Sequence, residues 1–301
     1  MPLSNIEYTA GRIALKKPDD VFIDINSFEY IDNYPAFEYT VTLPYNLSAY
    51  YGQDIRFTDD DFFNYFQVIT KDAKTSIIIN EARIWAFNVY EDERYVYMQA
   101  VLPKTKYDFI VIIDPGHGGT DPGTQHNGLI ESELNLDIAL ALHELIDNDP
   151  RMKVYSTRLT DIYPSLTERS QFANENGDLF ISIHNNAAEY RQGYVNPHIH
   201  GTETFYYPHT NDDVSSITSL EFADIVHTRL INTLGTEDRK VRNNNYYVLT
   251  TTQIPAILVE IGFITNPGEA ASLAKHEYRE LAAYGIYLGL CDVYETIHPA
   301  E

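Results

Sequence analysis

His117 follows the apolar run "IVIIDP" and stands among Gly116, Gly118 and Gly119, and His184 closes "DLFISIH" in the same manner. In open α/β sheets functional groups collect where strands end, because the loops there converge on one crevice. The glycines remove side-chain bulk around His117 and permit unusual dihedrals and close approach of other groups. Glu131 sits at the start of a helical pattern, about a turn before its apolar face begins. Two imidazoles and one carboxylate, with a fourth position left to water, form a recognised catalytic zinc set. Glu260 interrupts the apolar strand "PAILVEIGF", where an ionised carboxylate costs several kcal/mol unless it is partnered. A divalent cation, or a proton from water beside one, would supply that partner, and a carboxylate so placed can act as a general base.

Each of these residues also has a structural reading. A histidine beside glycines can cap a helix or fill a core, Glu131 suits the positive end of a helix dipole, and Glu260 suits an ion pair with Arg158. The glycine loop lacks the Lys-Ser/Thr that a phosphate-binding P-loop needs. His198 and His200 alternate in "NPHIHG", so on a strand both would face one side, but the Gly and Pro flanks favour a loop near the site over metal ligation. Arg158 reads as a structural ion pair ahead of a substrate contact, and Asn185 and Asn186 as turn formers or substrate contacts. The patches "YYGQ" and "NNNYYV" read as sheet packing first and sugar stacking second.

The elements that would position these groups fall into two parts. From Phe109 the chain alternates strands ("FIVIID", "MKVYST", "DLFISIH", "ETFYYP", "YYVLT", "PAILVEIGF") with helices. "SELNLDIALALHELIDN" places Leu134, Ile138, Leu142 and Leu145 on one face. "SLTERSQFANEN" opens with a capping-box pattern, Ser165 and Glu168. "SLEFADIVHTRLINTLG" is closed by Gly235, and residues 268–296 are largely helical. Nearly all-apolar strands in such alternation imply an α/β domain, a mainly parallel twisted sheet flanked by helices. Ahead of it, "AFEYTVTLPY", "TSIIINEARIWAFNVY" and "RYVYMQAVLP" predict a small all-β domain, read as a sandwich. The expected division is residues 1–107 and 108–301, with "LPKTKYD" (102–108) as the linker.

Composition excludes several classes of partner. The 301 residues carry a net charge of -23, which argues against nucleic acid and anionic membrane surfaces. Residues 1–107 hold 16 acidic and 10 basic side chains and residues 108–301 hold 28 and 11, so the excess acidity lies mainly in the second part. The single cysteine, Cys291, excludes internal disulfides and thiolate metal clusters, and its apolar helical setting predicts packing. No apolar run approaches the roughly 18 residues that a membrane span requires. The start shows no charged head followed by an apolar stretch, so the expectation is either cell-wall or extracellular action after a signal peptide is removed, or a cytoplasmic stay until release.

Residues 109–293 resemble the zinc-dependent N-acetylmuramoyl-L-alanine amidases of the amidase-3 type. The resemblance rests on "IVIIDPGHGGTDPG", "NGLIESELNLDIA", "STRLTDIYPSLTERSQFAN", "LFISIHNN", "GTETFYY" and "NNYYVLTTTQIPAILVEIGFITN", in family order and with family-like gaps. It implies His117, Glu131 and His184 as ligands of one Zn2+, Glu260 as the catalytic glutamate, and peptidoglycan as substrate. The bond implied is the amide between N-acetylmuramic acid and L-alanine of the stem peptide, cut by metal-assisted hydrolysis. Ser132 and Glu133 depart from the Lys and Asp or Asn common in the family after the ligand glutamate, which bears on local substrate contacts. No familiar wall-binding repeat is present; residues 1–107 faintly resemble the β-rich domains that precede such catalytic domains, which implies wall or partner attachment. The competing readings are a metallopeptidase cutting within the stem peptide and a catalytically silent binding or regulatory protein.

Overall fold

The computed structural model describes residues 2–188, the backbone of 190–191, and residues 194–209 and 216–299. The chain divides into two compact units, one ending at Lys106 and the other beginning at Tyr107.

The first unit is built from two antiparallel sheets. One orders its strands Ile6–Thr9, Arg12–Lys16, Tyr95–Val101 and Ala86–Glu91; the other runs Glu29–Asn33, Glu38–Leu43, Lys74–Glu81, Phe63–Lys71 and Ile55–Phe57. Strands Glu38–Leu43, Lys74–Glu81 and Tyr95–Val101 bury every second residue, as a pleat with period two requires. Val41, Ile77 and Ile79 from one sheet thereby share a core with Ile13, Phe87, Val96 and Met98 from the other, which makes the unit a sandwich. The segment "LPKTKYD" contains a helical turn, Pro103–Lys106.

The second unit holds a six-stranded sheet in the order Lys153–Ser156, Ile110–Pro115, Leu179–Asn186, Ala256–Phe263, Thr202–Tyr206, Asp238–Asn243. Every pairing is parallel except Thr202–Tyr206 against Ala256–Phe263. The central strands are buried on both sides. One side contributes Val111, Ile113, Ile181, Ile183, Ile257 and Val259 to a core with the helices Glu131–Asp147, Ser219–Leu234 and His276–Ile297. By the same pleat Ile112 faces the other way, where Gly177 at the end of helix Leu166–Asn176 abuts it. The Ser165–Glu168 capping box forms, and Gly235 ends its helix at φ 66°. Among the described residues no helix is long and apolar enough to cross a membrane.

One element differs from expectation. "YYVLT" caps and enters the short helix Tyr247–Thr251 and is not a strand. The place beside Thr202–Tyr206 is taken by "DRKVRN", Asp238–Asn243, whose charges hid it because an edge strand needs no apolar run. The helix instead buries Val248 and Leu249, so tertiary packing overrides β propensity.

Candidate metal centre

Strands Ile110–Pro115 and Leu179–Asn186 are parallel neighbours with Pro115 opposite Ile183, so the chain delivers His117 and His184 side by side at the C-terminal ends of the sheet. Glu131, the first residue of helix Glu131–Asp147, meets them there. Its Oε1 lies 3.2 Å from His117 Nε2 and 3.0 Å from His184 Nδ1, and the two imidazole planes stand 78° apart. These three offer ligand atoms within 4.8 Å of one another, the only such group of His, Cys, Asp or Glu among the described residues.

The glycines are explained by what surrounds them. A Cβ on Gly116 would sit 2.2 Å from the His184 ring, and one on Gly123 would sit 2.7 Å from both the His117 ring and Glu131 Oε2. The bare backbone is therefore the space that the His184, His117 and Glu131 side chains occupy. His117 itself adopts φ 61°, a left-handed conformation uncommon outside glycine. Hydrogen bonds between Gly118 and Asp121 backbones, at 2.7 and 2.9 Å, close the turn that holds it.

Two arginines fix this loop. Arg169, buried, donates to Asp114 Oδ1 at 2.6 Å and to the carbonyls of Pro115 and His117, each at 2.7 Å. Arg158 donates to the carbonyls of Pro115, Gly116 and Ser132 at 2.9, 3.0 and 2.9 Å, tying the His117 loop to the helix that carries Glu131. The expected ion pair between Arg158 and Glu260 is thus not formed: the guanidinium is used up on these backbone carbonyl oxygens. Burial, then the neighbouring Arg169, lowers the pKa of Arg158 to about 10.

Asp121 escaped the sequence reading. Its Oδ2 lies 2.8 Å from His117 Nδ1, so with Nδ1–H donating, the Nε2 lone pair is turned toward Glu131. The signal was a carboxylate four residues after the histidine, in "HGGTD". Burial alone would lower the His117 pKa, but Glu131 and Asp121 outweigh it and raise it. Burial likewise pushes Glu131 up, yet the two imidazoles hold it well below the usual carboxylate range.

Glu260 stands opposite His184 on one neighbouring strand and opposite Glu203 on the other. Glu203 is neutralised by Arg239 Nε at 2.5 Å and Arg242 Nη1 at 3.5 Å. Among the described residues Glu260 has no such cation, and its buried Oε2 has no hydrogen-bond partner. Burial, then the charges of Glu131 and Glu203, drives its pKa well above the ordinary value of 4.5.

The donor set suits a divalent cation. Two imidazole nitrogens and a carboxylate oxygen converge, a second carboxylate lies buried without a cation, and glycines keep the space clear. All four residues line one cleft of about 610 Å³, which also takes in Asp121, Thr124, Asn186, Tyr163, Leu166, Tyr246 and Tyr247. The other candidates lie elsewhere. His200 Nε2 pairs with Glu237 at 2.8 Å and His198 is exposed, so neither joins the centre. Asn185 is buried and donates to Asn135, which donates to the Gly116 carbonyl, so it braces the loop. The tyrosine patches diverge: Tyr51 is in the core of the first unit, whereas Tyr246 and Tyr247 line the cleft. Cys291 is partly buried, its Sγ 3.3 Å from Arg151.

Comparison with known proteins places this arrangement in context. The family profile described as N-acetylmuramoyl-L-alanine amidase matches residues 111–292. An uncharacterized cell wall amidase of Bacillus anthracis is 37% identical over 65% of this chain and 38% of its own length. N-acetylmuramoyl-L-alanine amidase LytC of Bacillus subtilis is 36% identical over 61% of this chain and 35% of its own length. The chain therefore spans little more than a third of these relatives. Among solved structures, an N-acetylmuramoyl-L-alanine amidase from Clostridium difficile 630 superposes with a TM-score of 0.56 at 34% identity, covering 61% of this chain and 95% of that one.

Proposed function

The chain belongs to the N-acetylmuramoyl-L-alanine amidase family, and we propose on that premise that its second unit hydrolyses the amide joining N-acetylmuramic acid to L-alanine in peptidoglycan. The observation that carries the reading is the convergence of His117, Glu131 and His184 beside a buried, unpartnered Glu260 in one open cleft. His117, Glu131 and His184 would hold one zinc ion per chain. When bound, that ion supplies Lewis acidity, polarising the scissile carbonyl and making water a nucleophile near neutral pH.

The chain's own residues do the rest. Glu260, with a free oxygen and a raised proton affinity, takes the proton from the attacking water and hands it to the departing amine of L-alanine. Asp121 keeps His117 in the tautomer that presents Nε2. Arg158 and Arg169 hold the backbone on which His117 and Glu131 sit. Action on peptidoglycan sets the place of work at the cell wall.

Digestion of purified peptidoglycan followed by mass spectrometry of the muropeptides tests this. The new amine is expected on L-alanine, with release abolished by a chelator and restored by zinc. New amines within the stem peptide would make the enzyme a metallopeptidase, and zinc-loaded protein releasing nothing would make it a silent binding protein. For the first unit we propose attachment to the wall, supported by Phe22, Ile31 and Phe57, which are 85%, 58% and 71% exposed. The full chain should sediment with purified sacculi, and Phe22→Ser with Phe57→Ser should reduce the bound fraction; unchanged retention removes the role.

A further inference from the structure

The cleft has one wall that the hydrolytic chemistry does not use. Tyr163, Leu166, Tyr246 and Tyr247 line it, yet each remains between 38% and 46% exposed. Large apolar side chains so exposed at the rim of a cleft mark a binding surface.

These rings are fixed in place. Tyr246 meets the buried Phe205 edge-on, at 5.2 Å between centroids and 88° between planes. The Tyr247 hydroxyl lies 3.0 Å from Thr167 Oγ1, which joins helix Tyr247–Thr251 to helix Leu166–Asn176. The Tyr163 segment is braced on the metal loop: Asp161 Oδ1 accepts from Gly119 N at 2.7 Å, and a Cβ on Gly119 would come within 3.0 Å of Tyr163 N. A ligand on this wall is therefore held at a set distance from His117.

Charge narrows the ligand class. In a chain of net charge -23, residues 243–259 contain no charged side chain, and neither do residues 162–167. Asn, Gln, Ser, Thr and Tyr supply the polarity there. Stem peptides carry carboxylates and ammonium groups, and this wall offers no counter-ion for either. A pyranose ring presents an apolar C–H face to an aromatic ring and neutral hydroxyl and amide groups at its edge, which is what uncharged amphipathic tyrosines accommodate. Ile162, 53% exposed and adjacent in sequence to Tyr163, adds apolar surface outside the cleft lining for a further ring.

We infer that the wall formed by Tyr163, Leu166, Tyr246 and Tyr247 is a glycan subsite that holds the sugar chain on the muramic acid side of the bond to be cut. The inference rests on the proposed amidase function for the identity of that bond. It does not rest on it for the binding itself.

The test uses the full-length protein and two probes, a chito-oligosaccharide and a sugar-free stem tripeptide, titrated by calorimetry. The chito-oligosaccharide has the pyranose faces and N-acetyl groups but no lactyl amide, so its binding is independent of which bond the enzyme cuts. It should bind the wild type, and Tyr247→Ala and Tyr163→Ala should each weaken it by about tenfold. Tyr247→Phe and Tyr163→Phe, which keep the ring, should bind within about twofold of wild type. The tripeptide should respond to none of these changes. Chito-oligosaccharide that does not bind, that binds the Ala variants as well as wild type, or tripeptide binding that falls with the rings overturns the subsite. Muropeptide analysis of the same protein reads the cut bond separately, so a failed subsite and a failed amidase reading are told apart.

Discussion

Asp114 in strand Ile110–Pro115 and Glu260 in strand Ala256–Phe263 are both buried carboxylates, and only strand Leu179–Asn186 lies between their strands. Asp114 accepts from Arg169 and Thr157 Oγ1 at 2.6 Å each and from Ser182 Oγ at 2.7 Å. Among the described residues Glu260 accepts from no cation and leaves Oε2 without a partner. Burial raises the proton affinity of both, but at Asp114 the guanidinium and hydroxyls outweigh it, and at Glu260 nothing does. The comparison separates scaffold from chemistry. A satisfied buried carboxylate locks strands together, and an unsatisfied one is held ready for a proton or a nearby cation.

The largest expected effect is on turnover. Glu260→Gln should lower peptidoglycan hydrolysis by about 10²–10⁴-fold, while elemental analysis finds zinc undiminished. Retained hydrolysis would return Glu260 to a structural role. Next is the reverse experiment on Asp114. Arg169→Met leaves that charge buried and unpaired and should cost about 3–5 kcal/mol in urea denaturation, whereas Glu260→Gln should leave the metal-free fold as stable as wild type or more so. Equal losses in the two variants would erase the distinction. A smaller effect is expected at Asp121. Asp121→Asn should weaken zinc about 10–100-fold in chelator competition, and unchanged affinity would mean that His117 needs no orienting partner.

The smallest effect, and the sharpest in sign, is the dependence of metal-free stability on pH. Asp114 has a folded pKa below its ordinary 3.8, so its contribution is present above that pH and is lost as pH falls through the lower folded value. Glu260 has a folded pKa above 4.5, so the fold loses stability as pH rises from there toward the folded value. Thermal melts of chelator-treated protein should show Asp114→Asn flattening the acid limb and Glu260→Gln flattening the decline above pH 4.5. A decline unchanged by Glu260→Gln would show that the unpartnered carboxylate costs the fold nothing.

Much of this was legible along the chain because it is local. Alternation in "AFEYTVTLPY", near-continuous apolar runs in "IVIIDP" and "PAILVEIGF", the Ser165–Glu168 capping pair and Gly235 each act within a few residues, and each took its expected form. The chemical types at strand ends, His117 and His184, were visible for the same reason. Tertiary structure decided what depends on partners distant in sequence. Arg158 turned to the carbonyls of Pro115, Gly116 and Ser132, 26 to 43 residues away, and not to Glu260, because the fold gathers those oxygens around its guanidinium. "YYVLT" runs into a helix that buries Val248 and Leu249, while a charged strand fills the edge of the sheet. Gly116 is bare because the ring of His184, on the adjacent strand, needs its volume. Sequence specifies which groups can ligate or titrate; only the packed fold specifies which of them are left with a free lone pair and room for an ion, since burial and pairing are properties of the neighbours and not of the residue.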